Sequence, residues 1–290
     1  MELTHIAARQ ARLSAILRED MGISMGLMNR LKWQDQLFVN GIARHTDFQV
    51  KIGDIVSIPL DDTPAEYPAQ EGPLTILYED EHLLAVDKPA GMLIHPSRSR
   101  LTDTLANYVL GYYQKTGQNC AFHPITRLDR DTFGIVLLAK NAHVHALCNQ
   151  LHQDGKLEKT YRALVFGGPK ADSGRIDAPI ARLPLPSLLR AVSPEGKPSV
   201  TQFQVLKRKE SSSLLELKAI TGRTHQLRVH CAYMGFPILG DPQYGTEESK
   251  ALSAKMGLYT QALCAYCLTF PHPITGETLC LLSKKDAECN

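Results

Sequence analysis

No stretch of this sequence approaches the ~18–20 consecutive apolar residues that cross a bilayer as a helix. The start, Met1-Glu2-Leu3-Thr4-His5-Ile6, lacks the basic-then-apolar order of an export leader. Both absences predict a cytoplasmic protein with no membrane contact. Excess charge of one sign is missing too: 32 Lys and Arg stand against 30 Asp and Glu, for a formal +2. That excludes a blanket electrostatic grip on a polyanion, so any hold on nucleic acid has to come from local sorting of charge. The seven cysteines, at 120, 148, 231, 264, 267, 280 and 289, are odd in number and scattered, which argues against a disulfide framework and for a reducing compartment. Cys264 and Cys267 form one Cys-x-x-Cys without a second pair at zinc-site spacing, and the apolar run Ala262 to Phe270 predicts buried strand cysteines there. With no P-loop, no Gly-x-Gly-x-x-Gly and no metal-ligand cluster, neither a cofactor nor a metal is expected.

What is present is an ordinary globular composition, 43% hydrophobic and 21% charged, in a chain of 290 residues, enough for a small unit and a larger one. The composition shifts over residues 61–73, where prolines, acids and a glycine crowd together as in a linker. Residues 1–60 show an αα-β pattern. Leu13, Ile16 and Leu17 mark a first helix, and Ser24 can cap a second one carrying Leu27, Met28 and Leu31. Asn40-Gly41 predicts a tight hairpin, with Ile55 to Ile58 as a further strand. Residues 74–290 mix strands and helices without a βαβ rhythm. Strands are expected at 74–78, 83–87, 135–139, 161–166, 200–206, 214–220, 264–270 and 278–282. Helices are expected from a Thr102 cap to Tyr113, from an Asn141 cap to Gln153, and from Thr224 to Met234, ended by Gly235. Hairpin-like pairs dominate, so the fold class is α+β with a largely antiparallel mixed sheet and flanking helices.

Two segments carry unusual chemistry. In the first, His123 to Gly134, four charged residues from Arg127 to Asp131 precede the apolar strand Ile135–Ala139. In the second, Thr221 to His230, Gly222 ends a strand, and Arg223, His225, Arg228 and His230 gather at a helix start, where backbone N–H groups and basic side chains favour anions. Residues 197–230 hold seven Lys and Arg against two acids, a local +5 that would suit phosphates. Asp129 is the one carboxylate that stands out beside these bases.

These residues resemble the RluA-type pseudouridine synthases. The resemblance rests on Arg127-Leu-Asp-Arg-Asp-Thr132 with Gly134, Tyr161 in Lys159-Thr-Tyr-Arg-Ala163, and Gly222-Arg-Thr-His-Gln-Leu-Arg-Val-His230. It extends to Glu79-Asp80, Val86-Asp87-Lys88-Pro89-Ala90-Gly91, the segment Gly235 to Tyr244, and His272-Pro-Ile-Thr-Gly-Glu277, in the family's order over about residues 74–282. Two positions depart from the family pattern: Thr126 stands where His is usual, and Phe133 where Ser is usual. Residues 1–60 are similar to the alpha-L RNA-binding module, through Gly22-Ile-Ser-Met25, Leu31-Lys32, Val39-Asn-Gly41 and Val50-Lys-Ile-Gly-Asp54. At seven bases against six acids the module is only weakly charged, and its role is either RNA binding or packing.

The resemblance implies a pseudouridine synthase fold at 74–290 and isomerisation of uridines in structured RNA, ribosomal RNA foremost and transfer RNA as the alternative. It implies Asp129 as the catalytic carboxylate, Arg228 as its ion-pair partner, and Tyr161 stacked on the uracil. Arg127 would fill the place of a flipped base. Arg223, Lys197, Lys207, Arg208 and His225 are the remaining candidates for RNA contact. No protein partner is implied, and a monomer is the default. Two other classes compete. An RNA-binding chaperone without catalysis is favoured only by Thr126 and Phe133. A histidine-based RNA-cleaving enzyme is disfavoured because His225 and His230, five apart, share no helical contact row.

Overall fold

The computed structural model describes residues 2–60, 67–97, 100–184, 186–187 and 189–288. Residues 61–66 of the expected linker, and Cys289, lie outside the described residues.

In the first unit, β1 (Glu2–Ile6) is followed by β2 (Ala11–Arg12) and by α1 (Leu13–Ala15), which runs on into one π-helical stretch, Ile16–Asp20. Next come α2 (Met25–Trp33), β3 (Phe38–Val39), β4 (Ile42–Ala43), β5 (Gln49–Val50) and β6 (Ile55–Pro59). Ser24 Oγ accepts the Leu27 N–H and so caps α2, as its position predicts. Asn40 (φ 51°) and Gly41 (φ 76°) make the left-handed pair that a two-residue hairpin between β3 and β4 needs. The strands run in the order β1-β6-β3-β4, and Leu13, Ile16, Leu17, Leu31, Val50, Val56 and Ile58 close a core of their own beneath them.

The rest of the chain builds one ten-stranded sheet. Its strands are β7 (Ile76–Glu79), β8 (Leu83–Lys88), β9 (His123–Pro124), β10 (Phe133–Ala139), β11 (Glu158–Phe166), β12 (Ser173–Asp177), β15 (Val200–Arg208), β16 (Ser212–Ala219), β17 (Leu263–Pro271) and β18 (Thr278–Leu282). The short pair β13 (Ile180–Arg182) and β14 (Arg190–Val192) stands apart. The helices are α3 (Leu105–Lys115), α4 (Ala142–Gln153), α5 (Gln226–Tyr233) and α6 (Glu247–Lys255). The order β12-β15-β16-β11-β17-β10-β8-β7 is antiparallel except where β10 meets β17, a parallel contact of two residue pairs, Phe133 with Cys264 and Gly134 with Ala265. Gly134 sits at this junction with φ 107°, and a Cβ there would lie 2.4 Å from the Ala265 carbonyl oxygen, so a side chain is excluded. β8 and β10 read as continuous apolar runs because both faces are covered. Val86, Val136 and Leu138 pack against α3, while Ala85, Ile135 and Leu137 pack against Val144 and Cys148 of α4.

Two expectations need correction. Thr104, not Thr102, precedes α3; Asp103 (φ 58°) turns the chain, and buried Asn107 Oδ1 accepts the Thr104 N–H. Residues 67–73, the described part of the expected linker, run against α3 and the turn before it. The Gln70 amide exchanges two hydrogen bonds with Asp103, and Gly111 lets the Gln70 carbonyl approach so closely that a Cβ would meet it at 2.2 Å. Finally, α5 starts at Gln226 rather than Thr224. The Gln226 side chain accepts from the Thr221 hydroxyl and the Arg223 N–H and donates to the Val200 carbonyl, tying the turn to the sheet before the helix can begin. Gly235 (φ 82°) follows the helix in the left-handed conformation, as its position predicts.

The two units touch. Ile274, in the β17–β18 turn, packs against both cores, and Gly22 closes on Leu147 of α4.

Candidate active site

Asp129 lies in the turn that delivers the chain into β10, and three contacts fix that turn. The ammonium of fully buried Lys88 donates to the Arg130 carbonyl at 2.8 Å, as well as to Pro89 and Met92 at 2.9 Å. Gln261 Nε2 donates to the Thr132 hydroxyl at 2.7 Å. Thr132 N–H closes on the Asp129 carbonyl at 3.2 Å. Burial pushes the Lys88 amine down to about 7, while the charges of Asp131 and Asp129 pull it back up.

Arg228 of α5 aims Nη1 at Asp129 Oδ2 at 3.3 Å. Its tighter bonds go elsewhere. Nε and Nη2 form a fork on Asp241, at 2.7 and 2.8 Å, and Nη2 also donates to Gln243 at 2.7 Å. The Arg228 side chain is 5% exposed and that of Asp241 0%, against 31% for Asp129. Burial works against the Arg228 charge, but Asp241 first and Asp129 second more than offset it and hold the guanidinium protonated. The plane of the guanidinium also lies over the Tyr244 ring, 4.9 Å from its centroid.

His225 takes the left-handed conformation (φ 59°, ψ 16°), uncommon for a residue with a Cβ. Its Nδ1 meets the Tyr244 hydroxyl at 2.8 Å, and its Nε2 stands 3.8 Å from Asp129. Burial lowers its pKa; Asp129 opposes this, and Arg228 and Arg190 reinforce it. Tyr161, on β11, is partly buried, and burial, with Asp129 adding to it, pushes its phenol up to about 12.

One cleft of about 850 Å³ brings together Arg127, Asp129, Tyr161, Arg223, His225 and Arg228. Arg127 is exposed at its mouth, and Arg223 donates to the Pro198 carbonyl at 3.2 Å. The remaining candidates are placed differently. Lys197 is exposed one residue before Pro198, beside the cleft rather than in it. Lys207 and Arg208 pair with Leu214 and Ser213 at the far end of β16, roughly 17 Å along the strand from Ala219 in the cleft. Arg208 is held by the Pro169 carbonyl and by Asp172 at 2.7 Å, and Lys207 stands 3.7 Å from Glu288. The local +5 is thus largely compensated in space, since Lys209 and Lys218 also pair with acids, at 2.8 and 3.6 Å.

Asp241, Gln243, Tyr244 and Lys88 were not singled out by the sequence. The signal was there in outline: an acid directly after the apolar run Phe236–Leu239 and its glycine, and a lysine ending an apolar strand. Of the two departures, Thr126 is buried and its hydroxyl accepts the Leu137 N–H, and Phe133 is fully buried beside Cys264. His230 is a core residue, bonded to Thr201 and the Ala178 carbonyl. Cys264 is buried as expected. Cys267 is only partly so and lies 3.8 Å, sulfur to sulfur, from Cys280. Among the described residues, no group of three or more His, Cys, Asp or Glu side chains could hold a metal ion.

Comparison with known proteins places this geometry. Residues 82–233 match the family model described as RNA pseudouridylate synthase. A Bacillus subtilis protein named as an uncharacterized RNA pseudouridine synthase, YjbO, is 36% identical over 90% of both chains. The ribosomal large subunit pseudouridine synthase D of Zymomonas mobilis is 37% identical over 81% of this chain and 77% of its own. Among solved structures, human RNA pseudouridylate synthase domain containing 1 superposes with a TM-score of 0.61 at 25% identity, covering 76% of this chain and 86% of its own. The chain belongs to the RNA pseudouridine synthase family and is an isomerase that converts uridine in RNA to pseudouridine.

Proposed function

We propose that the target is uridine in large-subunit ribosomal RNA and that Asp129 is the catalytic carboxylate. The observation that carries the second part is the unequal sharing of Arg228: Asp241 fixes the guanidinium, and the remaining Nη1 orients Asp129 toward the cleft that Tyr161 lines. The relative from Zymomonas mobilis, named for the large ribosomal subunit, supports the choice of RNA.

The reaction breaks the bond from ribose C1′ to N1 and joins C1′ to C5 of the same ring. N1 gains a proton and C5 loses one, so neither redox change nor group donor is required. Asp129 acts at the ribose or the ring while the detached base is held. Tyr161 stacks on the uracil, and its hydroxyl, a neutral phenol here, assists departure of the C5 proton. Arg127, at the cleft mouth, fills the place of the flipped base, and Arg223 and Lys197 meet the backbone beside it. Residues 1–60 serve as an RNA-binding attachment, 61–73 connect, and 74–290 are the catalytic unit; the separate core of the first unit supports that division.

The inactive-chaperone alternative loses its ground, because Thr126 and Phe133 are both buried and do not line the cleft. Pseudouridine mapping of ribosomal and transfer RNA from cells with and without the gene tests the target. Loss of a site in large-subunit RNA is expected; loss confined to transfer RNA would overturn the choice.

A further inference from the structure

The cleft continues past Asp129 to a wall that the mechanism does not use. His145, Asn149 and His152 recur at i, i+4 and i+7 on α4 and therefore share one helix face, and all three line the same cleft as Asp129. Lys159, two residues before Tyr161 on β11, lines it beside them. Behind His145, the ring of His123 stacks at 5.5 Å, and Asn149 Nδ2 lies 3.3 Å from His145 Nε2. The wall is polar, rich in nitrogen and partly sheltered, and it lines the same cleft as Arg127 and Arg223. RNA that presents a flipped base to Asp129 must lead its backbone away on both sides of that base. With Arg127 and Arg223 proposed for one side, this wall is the part of the cleft left for the other.

We propose that the α4 wall is a second RNA subsite, in which His145, His152 and Lys159 take backbone phosphate of a nucleotide flanking the target uridine. The inference rests on the RNA-isomerase function and adds a place and a pH dependence to substrate binding.

The direction of that dependence follows from the surroundings. His145 faces His123 and Pro124 of β9 and Asn149 of its own helix; burial and then His123 lower its pKa, against a hydrogen bond donated to the Pro124 carbonyl that raises it. His152 faces Lys159 of β11; burial and then Lys159 lower its pKa. Burial lowers that of Lys159 as well. The same cleft also holds His95, Arg127, Arg223 and Asp129, the last tied to Arg228. Both imidazoles are therefore biased toward the neutral form in the free protein, and an arriving phosphate raises their pKa. The bound state then holds more protons than the free one. The gain in affinity is full below the free-protein pKa and is lost as pH rises through the bound one.

The test measures binding of a transcript of large-subunit ribosomal RNA to the full chain carrying Asp129→Asn, which prevents turnover, at constant ionic strength. Affinity is expected to be about tenfold higher near pH ~5.5 than near pH ~8. With His145→Gln and His152→Gln added, that ratio should fall to about twofold or less, and the dependence of log Kd on log salt at the lower pH should flatten by roughly one unit. His152→Lys alone, a fixed charge in the same place, should tighten binding near pH ~8. Equal pH dependence with and without the two histidines, or no tightening by His152→Lys, overturns the subsite. Thermal melting of each variant separates lost contacts from lost folding. If Asp129-containing protein binds this transcript but never isomerises it, the choice of target RNA fails, while the subsite stands or falls on the binding ratios alone.

Discussion

Two carboxylates share Arg228, and they do so unequally. Asp241 is fully buried and takes two short bonds, whereas Asp129, the more exposed partner, takes one longer bond. Charge on the guanidinium is therefore secured by Asp241, and under the proposed mechanism the other carboxylate, Asp129, is left to serve the substrate. Asp241→Asn should cost about 3 kcal/mol of stability, because a buried guanidinium loses its paired charge. It should also lower the single-turnover rate about a hundredfold through misplacement of Asp129. Denaturant unfolding and rapid-quench assays read the two effects, and an unaltered rate would remove Asp241 from the site. Tyr161→Phe should slow the late proton step while leaving RNA affinity nearly intact. Because burial and Asp129 raise the phenol to about 12, its ionisation contributes no basic limb at ordinary pH. The pH–rate profiles of wild type and Tyr161→Phe should therefore differ in height and share a shape. That Asp129, Tyr161 and Arg228 meet in one cleft was legible in the sequence because their motifs are compact. Asp241 was not, because what makes it matter is a bond reaching back 13 residues to a helix that has already ended.

At the level of elements, the parallel contact between β10 and β17 sets where the site forms. It is only two residue pairs long, and Gly134 is what lets the strands approach. Gly134→Ala combines a Cβ inside van der Waals contact with a backbone angle that L residues avoid, so a loss of about 3 kcal/mol is expected in urea unfolding. A midpoint equal to that of wild type would show that the strands can part without cost. Strand patterns were readable here because β8 and β10 are apolar on both faces, and the caps at Ser24 and Asn141 bond as their side-chain chemistry suggests. The start of α5 was less readable, since four hydrogen bonds from one side chain, Gln226, delay the helix past Thr224. Local charge misled for a similar reason: Lys207, Arg208, Lys209 and Lys218 are adjacent to few acids in sequence but find Glu288, Asp172 and Glu158 in space.

Across the whole molecule, a net +2 is compatible with RNA binding because the cations that line the cleft are few and placed: Arg127, Lys159, Arg223 and the paired Arg228. On the proposed base-flipping mechanism, shape and one extruded base carry more of the recognition than bulk attraction does. As the RNA-binding attachment proposed above, the first unit would add reach rather than much charge. Removing residues 1–60 should weaken RNA affinity about tenfold, as expected for a linked second contact, and change the bound-state rate by less than about twofold. Equal affinity with and without the unit would assign it to packing against Ile274 and Leu147. The catalytic claim is tested most directly by tritium release from RNA labelled at C5 of uridine, comparing wild type with Asp129→Asn. Binding of the same RNA should be nearly equal in the two, with release abolished in the variant; release at the wild-type rate would contradict Asp129 as the catalytic carboxylate.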